Sequence, residues 1–496
     1  MSYKICIILF IAAVLTRFIG INWDNDHYSH PDENNMAVAL SQLTDNNLNP
    51  HFFAYGQFPL YLGYFSLKLI NIPNTFSNSI YVLRFYSGIF SLLFLFFAYN
   101  LLKALLPASG RESRLLIFVI LLIFSPALIQ ISHFGTTESL LCFVFIANLY
   151  FLLKIYNEPK YIYFVITAII SGIGLGSKVT TIFFIWPIIL MGFYKKQFLN
   201  TIFFILVTSF LLLVTSPYNF IDINEFLSSM QYESSVAIGT LEVFYTRQFL
   251  NTIPYLFQFT NIFPYVVGMP TFLFGILGII TFIVNCKLKI ENYRKWIIVI
   301  IPVLIYFLYF GQLFVKWTRF MSPIFFIFPL FTTIFISKLQ KSSYQFLVTS
   351  LCILPGLLFF SQYFLPNPRV STSNWINQNI PVNSIILSES GNVVDLKLRP
   401  DIKIINFDFY TLDNNYENKI KLDNLLSQSN YILIPSRRVF KNQNNNLFPY
   451  TKDYYRTIFS NKFNLIYQSR GRDENAEETF TVFDFPILRL YKNNNN

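Results

Sequence analysis

The chain has 496 residues, 54% of them hydrophobic and only 13% charged, with a formal net charge of +11. Soluble globular domains carry about 25% charged residues, so this composition, with a mean hydropathy of +0.46, excludes an ordinary soluble protein and reads as a polytopic membrane protein. Most of the positive charge lies in short loops between apolar runs, which argues against a nucleic-acid surface, where it would cluster on one soluble face.

The first apolar run, 3–22, contains Lys4 near its start and has no small-residue cleavage site after it, so it reads as an uncleaved signal-anchor. A spanning helix needs about 20 mostly apolar residues. Further candidates follow at 79–106, 115–130, 139–154, 161–176, 180–194, 198–215, 266–286, 296–314, 320–337 and 344–364. The expected architecture is a polytopic α-helical module of about eleven spans over residues 1–366, with long loops at 22–78 and 216–265. The tail, 367–496, differs in kind. Its short runs "SIILSE", "IKIINF", "YILIPS" and "FTVFDF" alternate with Asn-rich connectors, the pattern of a small soluble α/β domain. The terminal "KNNNN" is expected to fray. Cys6, Cys142, Cys286 and Cys352 all fall in apolar runs without a CxxC partner, so neither a disulfide framework nor a thiolate zinc site is expected.

Sidedness follows from the basic residues. One alternate set of loops carries Lys103, Arg111 and Arg114, then Lys154 and Lys160, then Lys195 and Lys196, then Lys287, Lys289, Arg294 and Lys295, then Lys338 and Lys341. Short basic loops face the cytoplasm. The N-terminus is therefore expected inside, and the tail outside a cell membrane. The other set contains "HPDE", "ISHFGTTES", "GSKVT", "SPYNFID", "YTRQF" and "VKWTR", together with all four histidines. The ionisable chemistry thus gathers at one end of the helices. A transporter more often buries such groups near mid-span.

Several residues stand out on that side. Pro31 suits a first helical position, and Asp32 and Glu33 suit a first turn. The plain reading is helix-start chemistry; the functional one is a carboxylate kept ionised at the membrane surface. Glu138, in "SHFGTTESLL", either belongs to a capping box with Thr136 or Thr137 or is a second functional acid. Arg84, Lys178, Arg247, Lys316 and Arg319 either snorkel to headgroups or neutralise a lipid phosphate. Asp24, Asp26, His27 and His30 form a candidate metal set, and a divalent metal is left open. There is no HExxH, no phosphate-binding Gly loop and no GxSxG. The glycines of "SGIGLG" lie in an apolar span and suit close helix packing.

In this order and with this sidedness, the motifs resemble those of the GT-C superfamily of polyprenyl-phosphate-sugar glycosyltransferases. These include the dolichyl-phosphate-mannose–protein mannosyltransferases and the aminoarabinose transferases. "HPDE" resembles the family's Asp-Glu motif in the first outer loop. "FPLYL" resembles its Pro-Leu segment, "RFYSGIFSLL" its Arg-led second span, "SHFGTTES" its cation-then-acid motif, and "GLGSKVT" its small-residue turn with lysine. Two positions depart from the pattern: His133 stands where many members have Arg, and Glu138 where many have Asp.

The resemblance implies transfer of a sugar from a polyprenyl-phosphate donor, within the lipid bilayer, to a hydroxyl on a protein, lipid or glycan acceptor. A phosphate leaving group needs no proton, so one carboxylate suffices as base. Asp32 is the expected base, with Glu33 and Glu138 as further catalytic carboxylates. Arg84, Lys178 and Arg247 are the expected donor-phosphate ligands, and His30, His133 and Tyr55 are expected to shape the donor and acceptor sites. The competing reading is a multi-pass transporter or a flippase for lipid-linked glycans.

Overall fold

The structure is a computed structural model, and it describes residues 3–285, 290–389, 395–435, 446–460 and 462–494. The chain divides into two compact units. The first comprises Met1–Ile21, Asp32–Ile238 and Ile253–Phe364; the second comprises Asn22–Pro31, Gly239–Thr252 and Leu365–Asn496.

The first unit is helical. Its early helices are α1 (Tyr3–Phe18), α2 (Pro31–Ser41), α3 (Phe58–Leu69), α4 (Phe76–Leu105), α5 (Arg111–Ile123), α6 (Pro126–His133), α7 (Glu138–Asn157), α8 (Tyr161–Leu175), α9 (Ile182–Tyr194) and α10 (Phe198–Thr215). Among the described residues, five helices are long and apolar enough to cross a membrane, or up to eight if each bent pair is one span. The remaining apolar runs fold as helices shorter than such a span, and three of the expected spans are bent. The expected span 115–130 becomes α5 and α6, bent by 52° where Pro126 opens a new helix on Ser125. A proline at the first helical turn loses no hydrogen bond, whereas in mid-helix it would. The run expected at 266–286 bends by 113° between 266 and 269, and 320–337 becomes Thr318–Ile324 followed by Ile327–Ile336. Runs α8 and α9 are apolar helices of 15 and 13 residues.

Burial separates the helices by role. The apolar window of α7 is 83% buried, whereas that of α10 is 17% buried. Helix α7 is therefore the central strut. Its Phe143 stacks on Phe90 of α4 at 6.1 Å between ring centroids. Helix α10 exposes Leu199, Leu206 and Phe210, as a lipid-facing helix does.

One close approach fixes the loop that precedes α3. The Gly56 amide donates to the Ser177 carbonyl at 2.8 Å, and the Phe58 amide to the Gly176 carbonyl at 2.9 Å. Ser216 completes the join: its hydroxyl donates to the Gly176 carbonyl and accepts from the Gln57 amide, both at 2.8 Å. A Cβ on Gly56 would stand 2.2 Å from the Gly176 oxygen, so the two backbones meet only because no side chain intervenes. The glycines of "SGIGLG" also serve helix packing, since a Cβ on Gly172 would press on Leu211 of α10 at 2.5 Å.

The second unit holds a five-stranded sheet in the order β2-β1-β3-β5-β4. Its strands are β1 (Ile385–Glu389), β2 (Lys403–Phe407), β3 (Tyr431–Ile434), β4 (Phe463–Gln468) and β5 (Arg489–Asn493). The first three pair in parallel; β5 runs antiparallel to β3 and β4. Three of the four expected strands are present. The fourth, "FTVFDF", is not a strand: it enters a short helix, Glu478–Val482, started by Glu477, whose carboxylate accepts from the Thr479 amide at 3.1 Å. Asp484 there is held by Arg472 at 2.5 and 2.7 Å. Strands β4 and β5 were not legible, because β4 has mixed burial and β5 runs into the Asn-rich terminus. That terminus does not fray through Asn493, whose side chain donates to the Leu426 and Ser429 carbonyls at 3.1 and 3.0 Å.

The Gly56–Gly176 join makes a direct prediction. Gly56→Ala should destabilise the first unit by about 1–3 kcal/mol, the usual cost of overpacking. Thermal unfolding of the detergent-solubilised protein measures it, and an unchanged melting temperature would show that the loop can move aside.

Candidate active site

Helix α2 starts at Pro31, and its first turn carries two carboxylates with opposite surroundings. Successive helical residues point about 100° apart. Glu33 points inward and is fully buried. It accepts from Arg84 Nε and Nη2, both at 2.7 Å, and from the Gly135 amide at 2.6 Å. A Cβ on Gly135 would stand 2.8 Å from Leu83 Cβ and 2.9 Å from Glu33 Oε1. Glycine is what lets the 134–137 turn reach the carboxylate. Arg84 also donates to the Ile21 carbonyl at 2.9 Å. Glu33 and Arg84 thus tie α1, α2, α4 and the turn before α7 together. Glu33, expected as a catalytic acid, and Arg84, expected as a phosphate ligand, are thus engaged with each other in a bidentate, fully buried pair.

Asp32 points the other way. It forms an ion pair with Arg319, and the two side chains are 22% and 20% exposed. That exposure makes Asp32 the reachable carboxylate of the pair. Arg319 lies in the 3₁₀ turn Thr318–Ile324, with its guanidinium 4.5 Å from the centre of the Trp317 ring.

A second ion pair lies in the same unit. Glu138, the first residue of α7, faces Lys178 Nζ at 3.6 Å. Thr137 precedes it as N-cap but makes no side-chain capping bond, so the capping-box reading does not account for Glu138. Lys178 stands in the turn after α8, the turn that Gly56 grips. Its ammonium lies 4.8 Å from the centre of the Tyr55 ring, a cation–π distance. The Tyr55 hydroxyl accepts from Arg319 Nη1 at 3.5 Å. Tyr55 is therefore the hinge between the two pairs: its ring serves Lys178 and its oxygen serves Arg319. Burial, and then the carboxylates of Glu138 and Glu233, hold its phenol well above the ordinary tyrosine range, so it stays protonated. Glu233, on the helix Ile223–Ile238, is itself raised by burial, with Lys178 opposing. The result is a polar cluster of Asp32, Arg319, Tyr55, Lys178, Glu138 and Glu233.

The other expected site residues lie elsewhere. His133 is fully buried. Its ring nitrogens lie 2.8 Å from the Ile129 and Ile19 carbonyls, and its ring stacks on Tyr363 at 4.0 Å. These bonds lie within α6 and between α6 and the residues just after α1. His30 and Arg247 belong to the second unit. There His30 packs on Phe483 at 4.2 Å, while Arg247 lies over Phe448 at 5.0 Å and donates to the Tyr410 carbonyl at 3.2 Å. The expected metal set is not assembled. Asp24 is buried, accepts from the Ser29 amide at 3.2 Å and acts electrostatically on Arg369; His27 Nδ1 lies 2.9 Å from the Asp24 carbonyl; Asp26 is exposed. Among the described residues, the grouping with metal-ligand geometry is instead His51, Asp222 and Glu225, whose ligand atoms lie within 4.8 Å of one another on exposed and half-exposed side chains. Sequence reasoning missed Glu233 and the pairing of Arg319, because both partners lie far from α2 in the chain and no local motif marks them.

Residues 65–220 match the family described as dolichyl-phosphate-mannose-protein mannosyltransferase. No curated protein matches the chain. The oligosaccharyltransferase of Archaeoglobus fulgidus is similar in structure at 13% identity, with a TM-score of 0.52 over 88% of this chain and 70% of that one. ArnT from Cupriavidus metallidurans, solved bound to undecaprenyl phosphate, aligns at 11% identity and a TM-score of 0.49 over 99% and 98% of the two chains. The S. cerevisiae Pmt1-Pmt2 complex bound to its sugar donor aligns over 53% of this chain and 38% of that one, at 16% identity and a TM-score of 0.32. The chain therefore has a fold like that of the A. fulgidus oligosaccharyltransferase, and residues 65–220 match the mannosyltransferase family.

The buried pair makes a prediction. Glu33→Gln leaves the Arg84 charge without its partner, which should cost about 3–5 kcal/mol. The expected outcome is loss of folded protein, read by size-exclusion chromatography in detergent and by proteolysis. A stable Glu33→Gln protein that has lost only turnover would return Glu33 to the catalytic set.

Proposed function

We propose that the protein is a membrane glycosyltransferase that moves a sugar from a polyprenyl-phosphate donor to an acceptor hydroxyl on the extracytoplasmic face. The observation that carries the reading is the joining of two carboxylate–cation pairs, Asp32–Arg319 and Glu138–Lys178, through Tyr55. The family match over residues 65–220 supports the donor class. The basic loops between the apolar runs support the sidedness.

The chemistry suits these groups. The acceptor oxygen attacks the anomeric carbon while the bond from that carbon to the phosphate oxygen breaks. The acceptor's proton passes to Asp32, and the phosphate leaves with the bonding electron pair as polyprenyl phosphate. A direct attack of this kind inverts the anomeric centre. Asp32 is the base because it lies beside Arg319 yet stays reachable. Arg319 and Lys178 stabilise the charge that grows on the leaving phosphate, Arg319 through two parallel N–H donors and Lys178 as a point charge. Glu138 and Glu233, on either side of Lys178, position the ammonium and accept from sugar hydroxyls. Tyr55 keeps the two cations at a fixed separation. His51, Asp222 and Glu225 would suit a divalent cation, and no step above requires one.

Asp32→Asn tests the assignment. Loss of a general base lowers turnover by about 10²–10⁴-fold. Mass spectrometry of cell-surface glycoconjugates, with and without the gene, first identifies the transferred sugar. Cells expressing Asp32→Asn at the wild-type level should then lack that modification. Full modification by the mutant would rule out Asp32 as the base. Lipid translocation that survives Asp32→Asn, without any sugar transfer by the wild type, would favour the flippase reading instead.

A further inference from the structure

Arg319 has two claims on it. It pairs with Asp32, and under the reading above it also faces the donor phosphate. We infer that Arg319 is a donor-operated latch: with no donor bound it holds Asp32, and the arriving phosphate draws the guanidinium away and leaves the carboxylate able to take a proton. The inference rests on Asp32 being the base and adds to that reading an order of events, donor before acceptor.

Four observations support it. First, the latch is cheap to open. Partly exposed ion pairs contribute about 0–1 kcal/mol, and this pair is about one-fifth exposed on both sides. Its neighbour on the same helical turn, Glu33–Arg84, is fully buried and carries a third bond from the Gly135 amide. That pair cannot exchange partners without leaving a buried charge unpaired. Second, a phosphate offers a guanidinium two parallel acceptor oxygens and up to two negative charges, so it competes well with one carboxylate. Third, Arg319 is supported from below. The Trp317 ring lies 4.5 Å beneath the guanidinium, and the Tyr55 hydroxyl lies 3.5 Å from Nη1. Both contacts let the charged plane turn between partners while its position is held. Fourth, Lys178 is tethered separately, by Glu138 at 3.6 Å and the Tyr55 ring at 4.8 Å. A second cation therefore stays in place while Arg319 changes partner.

The latch has a consequence that a plain structural ion pair lacks. Asp32 and the phosphate compete for one guanidinium, so removing Asp32 should tighten phosphate binding, and only while Arg319 is present. The experiment is equilibrium binding of radiolabelled C55 polyprenyl phosphate to the detergent-solubilised full chain. Losing a competing pair of this strength should let Asp32→Asn bind up to about fivefold more tightly than wild type, and Asp32→Ala should do the same. Arg319→Gln should bind more weakly. In the Arg319→Gln background, Asp32→Asn should change nothing, because the gain acts through the arginine.

An unchanged or weaker affinity of both Asp32 variants overturns the latch and leaves the transferase reading standing. A gain that persists in the Arg319→Gln background also overturns it, since that gain would be direct repulsion between Asp32 and the phosphate. Failure of wild type and every variant to bind the lipid overturns the transferase reading and the latch together.

Discussion

The bidentate bond between Glu33 and Arg84 is the constraint on which the site depends. It joins the first turn of α2 to the third turn of α4 inside the bundle, and it draws the Gly135 amide and the Ile21 carbonyl to the same point. Four otherwise separate pieces of chain are thereby registered on one carboxylate and one guanidinium. With α2 held in this way, Asp32 has a single direction in which to point. The direction of the reachable carboxylate follows from the position of the buried one.

Around that anchor the fold divides its polar groups by cost. A buried ion pair is expensive to break, at about 3–5 kcal/mol, whereas a partly exposed one is worth about 1 kcal/mol or less. The chain places its expensive pair, Glu33–Arg84, deep in the bundle and its cheap pair, Asp32–Arg319, where solvent can reach it. Glu138–Lys178 is intermediate: the carboxylate is nearly buried, and the lysine is steadied by an aromatic face. The apolar scaffold makes this division possible. Helix α7, largely buried, presents Glu138 at its first position, and the glycine join at Gly56 and Gly176 sets Tyr55 beside Lys178.

Much of this was legible in the sequence. Hydropathy marked the helical module, the tail's alternation marked β1, β2 and β3, and the proline before Asp32 marked the start of α2. The likeness of motif order to the GT-C glycosyltransferases is matched by the family found over residues 65–220. Other features were hidden for identifiable reasons. Two adjacent carboxylates look equivalent in a string of letters, and only packing reveals that Glu33 has Arg84 beneath it. His133 looked like a polar group at a site because its partners are backbone carbonyls, which carry no sequence signature. "FTVFDF" alternates like a strand, yet its first three residues end a short helix capped by Glu477, and its one acid, Asp484, is held by Arg472. Composition marked the apolar runs but does not report where Pro126 or a sharp turn bends one of them.

The adjacency of Asp32 and Glu33 also bears on how such a chain tolerates insertion and deletion. One residue along a helix is a rotation of about 100°, and here that rotation separates the solvent-reachable chemistry from the structural anchor. Gain or loss of a single residue within α2 would turn its first turn by about 100° relative to the rest of the helix, taking Glu33 off Arg84 and Asp32 off Arg319. The spacing inside α2 is therefore under a phase constraint that the loops beyond it escape, and indels are expected to accumulate in those loops rather than in the helix.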